Sequence, residues 1–121
     1  GAAERTGVSI AVHAAIPRLS SAMETALYRI IQEAVTNAIR HAGTPHIEIR
    51  VWQEDAIVHA AVRDEGRGFD AEATMARRGE RGLGLIGMRE RVDALGGRFV
   101  LRSAPGQGTE VAVAIPILED P

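Results

Sequence analysis

The sequence predicts an α/β (α+β) two-layer sandwich: a mixed, largely antiparallel sheet with helices on one face. Three observations lead there. Two neighbouring runs, "HIEIRVWQ" and "AIVHAAVRD", alternate apolar and polar residues, so each has one buried and one open face. A long amphipathic segment precedes them and a shorter one follows, enough helix to cover a single face. The order reads β-α-β-β-(loop)-α-β-β, and a sheet with one apolar face must bury it under a helical layer.

The elements follow in turn. "VSIAVHA", residues 8–14, alternates as a short strand, and Pro17 closes it. Ser21 and Glu24 have the spacing of a capping box and open a helix that runs to Gly43, with Pro45 just beyond. Leu27, Ile30, Ile31, Ala34, Val35, Ala38 and Ala42 form its apolar row. In residues 46–53, Ile47, Ile49 and Val51 face one way, and His46, Glu48, Arg50 and Trp52 the other. Residues 56–64 return beside them as a hairpin. The stretch 69–81 shows little order signal beyond a short helix around Ala71 to Arg77. "LGLIGMRERVDALGG" is a helix with Leu85, Met88, Val92 and Leu95 on one side, ended by Gly96 and Gly97. "RFVLRS" and "GTEVAVAIP" make a last hairpin around "APGQG", with Phe99, Leu101, Val111, Val113 and Ile115 inward.

Composition narrows the function. A chain of 121 residues is expected to form one domain over 1–121, with residues 1–7 as an edge or linker. A net charge of −2 gives no reason to expect a direct nucleic-acid partner. Aromatics are limited to Tyr28, Trp52, Phe69 and Phe99, too few for a base-stacking platform. Cysteine is absent, which removes disulfides and thiolate metal sites and agrees with a cytoplasmic location. No apolar run approaches the roughly 18 residues of a membrane span. His13, His41, His46 and His59 lack zinc-site spacing. Ser9, Ser20, Ser21 and Ser103 lack a nucleophile-elbow context.

Three places can carry chemistry. Strand parity puts Val58, Ala60, Val62 and Asp64 on one face, so Asp64 ends a core-facing row. A carboxylate there needs partners. Gly66 and Gly68, just after it, let a ligand come close to the backbone. The ordinary alternative is an Asp that caps its own turn. On the long helix, Glu33, Asn37, Arg40 and His41 form a polar stripe beside the apolar arc. An Asn carbonyl is a hard ligand for Mg²⁺, a carboxylate can act as base, and an Arg can bind phosphate. The alternative is a solvated helix face. Finally, Gly82, Gly84 and Gly87 lead into a helix start, where free N–H groups favour phosphate. No G-x-x-x-x-G-K-[ST] loop exists in the chain.

Taken together and in order, "EAVTNAIRHA", "DEGRGFD", "RGLGLIGMRERVDALGG" and "GTEVAVAIP" resemble the ATP-binding catalytic domain of sensor histidine kinases over nearly the whole chain. The wording "GLIGMRERV" and the Glu of the helix motif resemble the nitrate- and oxygen-sensor branch. The wider superfamily includes gyrase, the ninety-kilodalton heat-shock chaperone and mismatch-repair ATPases. The resemblance implies ATP and Mg²⁺ as cofactors. It implies that Asn37 is the Mg²⁺ ligand, Glu33 the base or water-orienting group, and Arg40 and His41 phosphate or ribose contacts. It makes Asp64 the acceptor for the adenine amino group, with Gly66 and Gly68 beside the base and Thr109 close to it. Gly82, Leu83 and Gly84 fall in a second glycine box, and residues 69–81 form an ATP lid. The family's phosphoacceptor His lies on a separate dimerisation domain that nothing here resembles. The expected partners are that domain and, through the parent protein, a response regulator, with the isolated domain monomeric and cytoplasmic. The alternatives are a non-catalytic ATP-dependent switch or an anti-sigma-type serine kinase of the same fold. Arg67, between the two glycines, is left unassigned.

Overall fold

The computed structural model describes residues 9–15, 19–42, 46–70, 72 and 84–117. Five strands form one mixed sheet: β1 (Ser9–Ala15), β2 (His46–Glu54), β3 (Ile57–Asp64), β4 (Arg98–Ser103) and β5 (Thr109–Pro116), in the order β1-β2-β3-β5-β4. Only β1 pairs in parallel, with β2; the other three pairings are antiparallel. Two helices, α1 (Ser21–Asn37) and α2 (Leu85–Ala94), complete the predicted two-layer α+β architecture. The expected short helix at 71–77 lies outside the described residues.

The alternation in β2 and β3 places the core. Ile47, Ile49 and Val51 are buried, as are Val58, Ala60 and Val62 beside them. Val111, Val113 and Ile115 of β5 continue the same layer. From the helical side, α1 supplies Met23, Leu27, Ile30 and Ala34, and α2 supplies Leu85, Met88 and Val92. Met23 sits within the core, one turn ahead of the apolar row read from the sequence. Phe99 and Leu101 point inward but stay half-buried, because β4 is an edge strand.

Two details of α1 differ from the sequence reading. The helix is capped by Ser20, not Ser21: Ser20 has extended backbone (ψ 157), and its hydroxyl accepts the Met23 N–H at 3.3 Å. With adjacent serines either could cap, and the extended backbone at Ser20 decides; such a cap is worth about 1 kcal/mol. Glu24 is then one residue too late to close a capping box. The α-helix also ends at Asn37, and Ala38–Ala42 form a π turn. The Ala38 N–H is shared between the Ala34 and Val35 carbonyls as the turn widens. Glu33 and Asn37 thus lie on the α-helix itself, and Arg40 on the π turn that follows it.

On the open face, Trp52 stacks on His59 with ring centroids 5.1 Å apart, and Arg50 lies over the Trp52 ring. Trp52 Nε1 also donates to Glu54 at 2.9 Å. This cluster lies across the sheet from the helices.

Candidate functional site

Asp64 ends β3 on the helix-facing side, as strand parity requires, and is 5% exposed. It is the one buried charged residue among those described. Its Oδ1 accepts the Gly66 N–H at 2.8 Å, and its carboxylate also accepts from the Thr109 backbone, directly across the β3–β5 ladder. Burial pushes its pKa up from the ordinary 3.8, against those two hydrogen bonds, which pull it down. A carboxylate that caps its turn and still has unused acceptor capacity suits recognition of an N–H group.

The backbone around Asp64 is held by contacts made far apart in sequence. Gly68 lies against the Ala104 and Gly108 carbonyls, where a Cβ would collide with both. Ser103 Oγ accepts the Phe69 N–H at 2.9 Å and donates to the Gly108 carbonyl at 2.9 Å. It also meets Thr109 Oγ1 at 2.8 Å, and Gly106 N–H bonds the Arg67 carbonyl at 2.7 Å. The segment 65–70 is thereby strapped to the β4–β5 hairpin. A cleft of about 490 Å³ opens here, lined by the end of β3 and the β4–β5 hairpin, with Arg63, Asp64, Leu101, Arg102, Ser103 and Thr109 among its residues.

A second group forms on the helices. Glu33 and Asn37 sit one turn apart on α1, both half-buried. The Glu33 carboxylate packs against Gly84, the residue that opens α2. The Asn37 side-chain nitrogen is buried and makes no hydrogen bond among the described residues. A buried polar group without a partner is costly, and its side-chain amide also carries an oxygen that a metal ion can use. Arg40 is exposed on the π turn. The His41 side chain, Gly82 and Leu83 lie outside what the structure describes, as does most of the predicted lid.

Residues 22–119 match the family described as histidine kinase-, DNA gyrase B- and HSP90-like ATPase. The chain belongs to that family. This ATPase domain is 41% identical over 102 residues to a sensor-like histidine kinase of Chloroflexus aurantiacus, covering 83% of this chain and 17% of the relative. It is 35% identical over 100 residues to the signal transduction histidine-protein kinase/phosphatase DegS of Brevibacillus brevis, covering 83% of this chain and 25% of the relative. It therefore spans a quarter or less of these relatives' lengths. Among solved structures it resembles a blue-light activated histidine kinase of Erythrobacter litoralis, with a TM-score of 0.78 at 22% identity over 95% of this chain and 39% of that one. It also resembles the catalytic domain of histidine kinase ThkA, with a TM-score of 0.77 at 19% identity over 94% of this chain and 81% of that one. The mixed sheet with two helices is the histidine-kinase ATPase fold, and the nucleotide of such a domain is ATP.

Within this ATPase domain, sequence reasoning passed over Ser103 and Gly108. Ser103 was weighed only as a nucleophile, yet its hydroxyl joins three parts of the site. Its place, last in β4 before a Pro-Gly turn, is the one sequence signal for that role. Among the described residues, no helix is long and apolar enough to cross a membrane.

Proposed function

We propose that this chain is the catalytic domain of a two-component sensor histidine kinase. It binds ATP with Mg²⁺ and passes the γ-phosphoryl group to a His on a separate dimerisation domain. The observation that carries this reading is Asp64, a buried carboxylate at the end of β3, anchored by the backbone N–H of Gly66. It accepts the adenine amino group, while Thr109 and the turn at Gly66 and Gly68 border the base. Asn37, through its side-chain oxygen, is the residue that would hold Mg²⁺, which would supply charge neutralisation on the triphosphate. Glu33 orients the reacting groups beside Gly84. Arg40 and His41 contact phosphate or ribose, and Gly82 and Leu83 border the triphosphate. The bond from phosphorus to His Nε2 forms as the bond to the β-phosphate oxygen breaks, and ADP leaves. Catalysis of such a step is positioning plus electrostatic stabilisation.

The partners in this reading are the dimerisation domain of the parent protein and, through the parent, a response regulator; the domain is cytoplasmic and, alone, a monomer. Mixing the chain with that dimerisation domain and radiolabelled ATP tests it. Acid-labile label on the partner is expected; tight ATP binding with no label would replace the kinase by an ATP-dependent switch.

Asn37→Ala separates the metal role from the nucleotide role. ATP affinity in Mg²⁺ should fall about tenfold or more, near 1.4 kcal/mol. Affinity in EDTA should change little. Equal losses in the two titrations would remove Asn37 from the metal site.

A further inference from the structure

Gly84 begins α2 with φ +77 and has no side chain to cap the helix. The space its missing Cβ would fill is already occupied. The Glu33 carboxylate lies there: Oε1 would overlap the added atom, and Cδ and Cγ would sit 2.7 and 3.0 Å from it. Gly87, three residues later, has nothing within 4 Å of the same construction. The close approach therefore belongs to the Glu33–Gly84 pair and not to the glycine-rich stretch in general. It also joins α1 to α2 at the end of α2 where the helix dipole favours negative charge.

We propose that Gly84 is a positioning residue for Glu33. By carrying no side chain it seats the Glu33 carboxylate against the start of α2 and fixes its direction relative to the transferring phosphate. The proposal rests on the nucleotide reading above. Residue 84 is constrained twice, by its positive φ and by the carboxylate, and the two must be separated. Asn tolerates a left-handed backbone better than most residues, so Gly84→Asn keeps the conformation while its side chain claims the carboxylate's place.

The test compares Gly84→Asn and Gly84→Ala in the wild-type and Glu33→Ala backgrounds. Three quantities are read: melting temperature without nucleotide, ATP–Mg²⁺ affinity, and the rate of transfer to the dimerisation domain. In the wild-type background, Gly84→Asn should lower the transfer rate at least tenfold while affinity moves less than threefold. In the Glu33→Ala background, the same change should cost no further rate, and the melting penalty of Gly84→Ala should fall to less than half. Equal penalties in both backgrounds would overturn the proposal, because residue 84 would then act through its backbone alone. Should the wild type bind no ATP, the nucleotide reading falls, and the melting comparison alone decides whether Gly84 seats Glu33.

Discussion

Asp64→Asn is expected to lower ATP affinity by about 100-fold, near 3 kcal/mol. Two losses combine. A hydrogen bond to a charged acceptor is worth ~1.5–3 kcal/mol, and the new amide also turns an NH₂ group toward the adenine amino group. The variant keeps an oxygen for the Gly66 N–H, so the turn can persist. The preference for ATP over GTP should fall with it, because the guanine carbonyl can accept from the new amide. Titration with both nucleotides checks this; unchanged ATP affinity would mean that Asp64 does not read the base. The pH dependence is fixed by the same group. Burial raises the folded-state pKa of Asp64 above 3.8. Its stabilising contribution is thus fully present below 3.8 and is lost as pH rises through the folded value. As pH falls through that window, the stability difference between wild type and Asp64→Asn should move in favour of the wild type. ATP affinity of the wild type should drop over the same window, because a protonated acceptor is a poorer one.

Gly108→Ala should destabilise the fold by roughly 3 kcal/mol. Gly108 has φ +73, and an L-residue in the left-handed region costs about 1–2 kcal/mol. Its Cβ would also overlap the Asp64 carbonyl oxygen and come within 3.1 Å of the Glu65 Cα. Backbone cannot swing aside as a side chain can, and forced overpacking costs ~1–3 kcal/mol. A fall in melting temperature of roughly 10 °C follows for a domain of this size. Gly106→Ala is the control. Gly106 has φ +79 but nothing within 4 Å, so it should lose only the conformational part. Equal melting shifts for the two variants would refute the close-contact account.

How far the sequence could be read depended on the range of the physics involved. Strand alternation is local, so Asp64 could be placed on the inner face and the apolar rows of β2, β3 and β5 could be assigned. The helical spacing of Leu85, Met88 and Val92 was equally plain. Choices between equals were not: Ser20 and Ser21 are the same residue type, and only the backbone at Ser20 separates them. The π turn at Ala38–Ala42 was hidden because its residues read as one more turn of α-helix. Contacts that join distant segments were invisible in principle. Nothing near Ser103 announces that its hydroxyl receives the Phe69 N–H, and nothing near Glu33 announces Gly84. The parallel pairing of β1 and the insertion of β5 between β3 and β4 belong to the same class.

That insertion governs how the protein comes into being. β5 is made after both of the strands it joins, β3 and β4, and its first residue, Thr109, lies opposite Asp64. While the ribosome is still adding β5, β3 has an uncovered edge and Asp64 lacks one of its backbone donors. Pairings that close so late are slow and leave strand edges exposed to other chains. A polypeptide cut short before Thr109 has α1 and the turn at Gly66 and Gly68, yet lacks the Thr109 donor to Asp64. The surroundings of Asp64 are thus complete only once the sheet has closed.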